Sequence, residues 1–196
     1  RRHLAGSKGV SSDLSKRLGQ ESISEDGDYF GLKEVEQNNR HKQFQNVDYD
    51  LEPNIKNSPG GFRDIQTLMW IALKRHKTAS KRELVKLGVL TRTELRLLTA
   101  AEKFLRHTRF GLHLISKNKE DRLRFMYQRE LSAKLGYKDS SVRPDVEKFM
   151  QKYYRHVLAI QEINTIVIQS FRENLSRVTE PQTKINPRFN LVGNYI

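Results

Sequence analysis

Apolar residues recur along this chain at spacings of three and four, the pattern of helices that bury one face. Ile65, Leu68, Met69, Ala72 and Leu73 fall at i, i+3, i+4, i+7 and i+8 and predict one buried stripe on a helix opening near Arg63, with Asp64 in its first turn. Upstream, Ser11 to Gln20 reads as a short helix, Glu21 to Asp28 as a polar acidic loop, and Tyr29 to about Gln45 as a second helix. A long connection with Pro53, Pro59, Gly60 and Gly61 follows, with room for a short strand near Tyr49 to Glu52.

Downstream, Lys81 to Leu87 predicts a short helix that stops at Gly88, where a left-handed cap is natural. Thr91-Arg-Thr-Glu94 has the form of a capping box, Glu94 reaching back to the Thr91 amide. The helix it starts carries Leu98, Ala101, Leu105, Thr108, Leu112 and Ile115 on one face and runs to about Lys117. Another helix fits Arg122 to Leu135, capped by Gly136, and Pro144 stands where a first-turn proline is tolerated. The last stripe is the longest: Val146, Phe149, Tyr153, Val157, Ile160, Asn164, Val167, Phe171 and Leu175 share a face. That is about 30 residues, or roughly 45 Å at 1.5 Å per residue. After Arg177 the tail has two prolines and no helical period, so it reads as a linker. The fold class is all-α, a helical bundle with one long C-terminal spine helix.

Composition narrows the function. No apolar run reaches the roughly 18 residues that span a bilayer, and RRHLAGSKGV at the start lacks the apolar stretch of a signal peptide. Absence of cysteine removes disulfides, thiolate metal sites and cysteine nucleophiles, and fits a reducing, cytoplasmic setting. The first residue is arginine, not methionine, which an excised piece of a longer protein, an expression boundary or natural processing would each explain. Net charge is +13, and its location matters more than its size: residues 63–138 carry nineteen Lys and Arg against seven Asp and Glu. Such an excess can track phosphates, belong to a solvated face, or dock on acidic domains of a larger protein. No nucleic-acid motif accompanies it, and nucleic acid is not the favoured partner.

Self-contained chemistry is scarce. No two of the six histidines stand at i, i+4, and HExxH, GxSxG and GxxxxGK are absent, so no metal site is expected. Arg106, Arg109, Arg122 and Arg124 with His107 and His113 could form an anion site, although a solvated basic face is the plainer account. One stretch is more specific, YDLEPNIKNSPGGFRDIQTLMW over Tyr49–Trp70. It takes an extended acidic segment through rigid prolines and a Gly-Gly break into a helix start, where free amides and a positive dipole end can meet a phosphate. Glu52, Asn54, Lys56, Arg63 and Asp64 are the nucleotide-site candidates, with Pro59, Gly60 and Gly61 setting the loop geometry. Lys56 and Arg63 would supply charge, and Glu52 or Asp50 could hold a divalent metal. On physics alone, a loop that seals the bundle is favoured.

LEPNIKxxPGGxRDIQT resembles the signature of the PII uridylyltransferase/uridylyl-removing enzymes, the bifunctional bacterial nitrogen sensors. Upstream, Phe30, Lys33, Glu36, Gln37, Arg40, His41 and Phe44 are similar to that family's F-x-x-K-x-x-E-Q-x-x-R-H-x-x-F/Y helix. Downstream, LGVLTRTE, LRHTRFGLHL, DRLRFMYQRELSAKLGY and VEKFMQKYYR resemble its helical region. Ordered similarity runs from about Phe30 to Leu175.

The resemblance implies a helical region between a nucleotidyltransferase domain and an HD phosphohydrolase domain, with glutamine-sensing ACT domains beyond. It divides the chain into a lead-in (1–28), the helical domain (29–177) and a linker towards the HD domain (178–196). The implied activity of the parent is Mg²⁺-dependent transfer of UMP from UTP to a tyrosine of the PII protein, with UMP removal elsewhere in the same protein. That transfer needs a glycine turn followed by Asp-x-Asp to hold two metal ions. Asp48 and Asp50 have the spacing but no preceding glycine turn, and no His-Asp dipeptide occurs. The fragment is therefore expected to hold no cofactor, to be inactive alone, and to pack on the transferase site, with PII and UTP as partners only through the parent. Two alternatives stand beside it: a basic helical nucleic-acid-binding module, and the helical region of a glutamine synthetase adenylyltransferase.

Overall fold

The computed structural model describes residues 5–20, 26–44, 51–138, 144–179, 182–186 and 189–192. Among them are seven helices: α1 (Lys8–Gln20), α2 (Asp26–Lys42), α3 (Phe62–His76), α4 (Lys81–Lys86), α5 (Arg92–Ser116), α6 (Phe125–Lys134) and α7 (Asp145–Thr179). At 35 residues α7 is about 52 Å long, and it is the spine against which α3, α5 and α6 pack. α2 lies on α3 and α4 on α5. No helix among the described residues is long and apolar enough to cross a membrane.

The stripes meet in one core. Leu98, Ala101, Leu105 and Leu112 of α5 and Leu131 of α6 close on Phe149, Tyr153, Val157 and Ile160 of α7, while Ile65, Leu68, Ile71 and Ala72 of α3 cover its later turns around Val167 and Phe171. Each fully buried aliphatic or aromatic side chain contributes about 1.5–3 kcal/mol by leaving water. Local signals set the ends. Thr91 Oγ1 accepts from the Glu94 amide at 3.1 Å and Glu94 Oε2 accepts from the Thr91 amide at 2.6 Å, completing the capping box of α5. Ser80 caps α4, which closes over the buried Leu84 before Gly88 turns with φ +72°.

Several expectations need correction. Leu73 is 42% exposed, and Ile71 takes its place in the core, so the buried face of α3 is turned towards Asp64, Thr67, Leu68 and Ile71. α6 starts at Phe125 and not Arg122, because Arg122 and Leu123 are committed to a backbone bridge with Pro53 and Asn54. This bridge is the extended pairing near the loop; Tyr49 and Asp50 lie outside the described residues. α1 and α2 begin earlier than predicted, at Lys8 and Asp26, so that part of the expected loop is helical; Glu21–Glu25 lie outside the described residues. The tail holds an antiparallel hairpin, β1 (Gln182–Asn186) and β2 (Phe189–Val192), with Gln182 opposite Val192. The signal overlooked was alternation on either side of an Asn-Pro step, a strand pattern too short to register as periodic.

Thr91→Ala removes the acceptor for an otherwise orphaned helix amide. The expected loss is about 1 kcal/mol, read as a lower urea midpoint with an unchanged slope; an unmoved midpoint would show the box contributes nothing.

Candidate functional site

The loop between the bridge and α3 is built from the backbone outwards. Pro53 accepts from the Leu123 amide and Ile55 donates to the Asp121 carbonyl, both at 2.8 Å, which pins the loop to the segment before α6. Asn54 Oδ1 then accepts from the amides of Lys56 (3.1 Å) and Asn57 (2.8 Å), the side-chain turn for which asparagine is suited. The Asn54 amide donates to Ser58 Oγ at 3.0 Å. The chain next reverses tightly: Gly61 donates to Ser58, Phe62 to Ile55, Arg63 to Lys56 and Asp64 to Gly61, all through backbone carbonyls. The Gly60 amide donates to Asp64 Oδ2 at 2.7 Å. The amides expected to be free for a phosphate at the Gly-Gly step are thus all engaged inside the protein.

The glycines have different reasons to be glycine. Gly60 has φ +74°, and a Cβ there would sit 2.4 Å from the Val157 carbonyl oxygen of α7. Gly61 is extended (φ −80°, ψ −176°), and its constraint is space alone: a Cβ would fall within 3 Å of three carbonyl oxygens, those of Ile55, Lys56 and Ser58.

Asp64 is the centre of the arrangement. Its side chain is 0% exposed, and Arg40 Nη1 lies 2.9 Å from Oδ1. His41 Nε2 lies 2.9 Å from Oδ1 and 3.1 Å from Oδ2. The Asp64 carbonyl accepts from Asn164 Nδ2 at 3.1 Å, and Asn164 Oδ1 accepts from Gln37 Nε2 at 2.6 Å. Arg40 also donates to the Asn57 carbonyl at 3.0 Å. An open cleft lies beside this network, lined by His41, Pro59, Asp64, Gln161 and Asn164 among others. Gln37 and Asn164 were not singled out from sequence as site residues. The clue was available in Asn164, an amide within an apolar stripe, because a buried polar group requires partners.

The remaining candidates are separated by the fold. Glu52 Oε1 accepts from the Phe125 amide at 2.8 Å and so caps α6, while Oε2 faces Arg122 at 3.8 Å. Arg63 lies over the Trp70 ring at 5.5 Å, with Lys33 at 4.9 Å over the same residue. Lys56 points into an open groove beside α5. No three His, Asp or Glu side chains converge on a possible metal position among the described residues.

The expected basic cluster is also divided. Arg106 pairs with Glu102 and Arg124 with Glu120, each four residues away in sequence. Arg109 grips Asp121 with two nitrogens, at 2.6 and 3.3 Å, and His113 Nε2 approaches it at 3.1 Å. Burial pushes the Asp121 carboxyl up, but the hydrogen bonds and charges of Arg109 and His113 outweigh it and hold the group below its usual range.

The family model described as GlnD PII-uridylyltransferase matches residues 30–168, from the buried Phe30 of α2 through most of α7. The chain belongs to this family. It is 40% identical, over its whole length, to the bifunctional uridylyltransferase/uridylyl-removing enzyme of Stutzerimonas stutzeri (strain A1501), of which it covers 22%. To the enzyme of the same name from Pseudomonas aeruginosa (strain UCBPP-PA14) it is 41% identical over 86% of the chain and 19% of that protein. The chain therefore spans about a fifth of the length of these curated relatives. No solved structure matches it. In the GlnD family segment, the locked loop and the helices that lock it fall inside the matched residues.

Two expected outcomes follow from this geometry. Gly60→Ala combines left-handed strain with a clash, and should cost about 3 kcal/mol or more. Gly88→Ala, at φ +72° with nothing within 4 Å, pays strain alone, about 1–2 kcal/mol; equal losses in denaturant titrations would refute the close approach to α7. Because the folded pKa of Asp121 is depressed, its contribution is present above the unfolded value of about 3.9 and is lost as pH falls through the folded value. Asp121→Asn should therefore lower stability at neutral pH and flatten the loss below about pH 4, as followed by melting temperature across pH.

Proposed function

We propose that the chain is the helical part of a cytoplasmic PII uridylyltransferase whose parent transfers UMP from UTP to a tyrosine of the PII protein and removes it in response to glutamine. The observation that carries this reading is similarity along the entire chain to enzymes named for both activities. The same names favour uridylyl over adenylyl transfer. The nucleic-acid alternative loses ground because Arg106, Arg109, Arg122 and Arg124 each hold a carboxylate, so the basic cluster expected from sequence is largely charge-compensated.

Within that parent the segment has a positioning role. Its described residues do not fit Mg²⁺: Asp64 is saturated by Arg40, His41 and the Gly60 amide, and Glu52 is turned to the Phe125 amide and Arg122. The metal-dependent step belongs to the nucleotidyltransferase domain, against which the bundle packs. What the segment offers is a loop fixed in place by α2, α3 and α7, presenting Lys56 as a charged side chain.

In the full-length parent, Lys56→Ala is expected to reduce UMP transfer by about ten- to a hundredfold, the loss of one charge-assisted contact, while UMP removal persists. Arg63→Ala should give the same selective defect if its charge reaches the nucleotide. Normal transfer by both stable variants would remove them from the site. Joint loss of both activities with early melting would make the loop a seal only. The chain by itself should neither add nor remove UMP.

A further inference from the structure

On the face where α2 meets α3, cations are held by aromatic rings and not by acids. Lys33 Nζ lies 4.9 Å and the Arg63 guanidinium 5.5 Å from the centre of the Trp70 ring, and Lys74 Nζ lies 5.9 Å from that of Tyr29. Neither Lys33 nor Arg63 forms an ion pair among the described residues. The described carboxylates of α2 and α3 are committed elsewhere: Glu34 to Arg172, Glu36 to Arg40, and Asp64 to the buried network. Lys33 and Arg63 therefore keep their full charge, unlike Arg106 and Arg109 on α5. Leu32 is 67% and Leu73 42% exposed. Each stands three residues from one of the rings, Tyr29 or Trp70, and so beside it on the helix surface.

Scattered exposed leucines are ordinary. Leucines beside aromatic rings that carry unpaired cations have the make-up of a protein interface. A cation resting on a ring keeps its N–H groups free to donate and has already lost rotamer freedom, so it meets a carboxylate at reduced entropic cost. An indole that carries two cations is a poor platform for a stacked base. The occupant that fits is an acidic protein surface with an apolar centre. Position narrows the choice. Gln66 lines the groove of Lys56 and stands one turn from Trp70, so the face is continuous with the loop that presents Lys56. α2 is also the first helix of the family-matched residues. We propose that the α2–α3 face of Lys33, Arg63, Trp70, Leu32 and Leu73 seats the nucleotidyltransferase domain of the parent, which sets carboxylates against Lys33 and Arg63 and apolar side chains on the leucines. Covalent tethering lets a contact of this modest size hold, because the effective concentration within one chain is high. The proposal rests on the uridylyltransferase reading and adds to it the face and the chemistry of docking.

The test uses the full-length parent. Acetylation read by mass spectrometry should modify Lys33 about tenfold more slowly in the parent than in the 196-residue chain, whose fold is checked by circular dichroism. Lys86, exposed on α4, should react equally in both. A zero-length carbodiimide should join Lys33 to an acidic residue of the nucleotidyltransferase domain within one molecule. Leu73→Asp in the parent should restore the reactivity of Lys33 and abolish the cross-link, and Leu158→Asp, at an exposed site on α7, should do neither. Leu73→Ser replaces Leu73→Asp if the latter melts early. Equal reactivity of Lys33 in parent and chain, a cross-link to another domain, or one between two copies in an isotope-mixed sample would overturn the proposal. So would protection of Lys33 in the chain by single-stranded DNA at physiological salt. UMP transfer by the same preparation separates the two readings: transfer without protection of Lys33 overturns the docking face alone, whereas protection without transfer keeps the face as an interface and overturns the assignment of the parent.

Discussion

A buried carboxylate needs partners, and in this molecule the partners of Asp64 organise the fold around the loop. Removing a charge from water costs several kcal/mol even after relaxation, a cost that only close counter-charges and hydrogen bonds offset. Here they come from α2 (Arg40 and His41) and from the loop (the Gly60 amide), while Asn164 of α7 takes the Asp64 main-chain carbonyl. α2, the loop and α7 are thereby fixed to one residue of α3. The requirement propagates outwards. For its amide to reach Asp64, Gly60 must pass against the backbone of Val157 in a left-handed conformation, which forbids a side chain. Arg40, held by Asp64, in turn reaches the Asn57 carbonyl and steadies the turn made by Asn54.

The parts of this structure that could be read from sequence are those decided locally. Stripes at three- and four-residue spacing located α3 to α7, and Thr91 with Glu94 announced the start of α5, because periodicity and capping involve residues within a turn or two. The failures share the opposite property. Arg122 and Leu123 have helical neighbours, yet the bridge to Pro53 and Asn54, some seventy residues earlier, claims their backbone first. Leu73 fits the spacing of the α3 stripe as well as Ile71 fits the core, and only the position of α7 decides between them. Asp64 in a first helical turn suggested favourable interaction with the helix dipole, a modest surface effect. Its role as a buried hub depended on Arg40 and His41, whose proximity no local pattern encodes.

Charge illustrates the same limit. The middle of the chain has a large excess of Lys and Arg, which by count suggests a polyanion partner. In the folded chain many of these residues are already occupied: Lys81 and Arg106 share Glu102, Arg109 and His113 share Asp121, and Arg63 lies on Trp70. Where such a pair is exposed, as at Arg106–Glu102, it contributes little stability. Such pairs do change what the surface presents, because a cation with a carboxylate beside it attracts a second anion less than an isolated one.

These constraints bear on how the loop can act in the parent enzyme. A glycine-rich turn at a helix start ordinarily suggests binding through backbone amides, which is how such turns hold phosphates elsewhere. That route is closed when every amide from Gly60 to Asp64 already has an acceptor within the protein. Freeing the Gly60 amide would break a contact of a buried carboxylate, and freeing the others would break the backbone hydrogen bonds of the turn. Any contact the loop makes with a ligand or partner must therefore pass through side chains that the locked backbone projects outwards. Asn54 and Ser58 are consumed in the turn, and Asp64 is consumed in the core. Among the described residues, Lys56 is the one charged loop candidate whose side chain makes no ion pair, ring contact or hydrogen bond, so it is the charged group that the locked backbone leaves available.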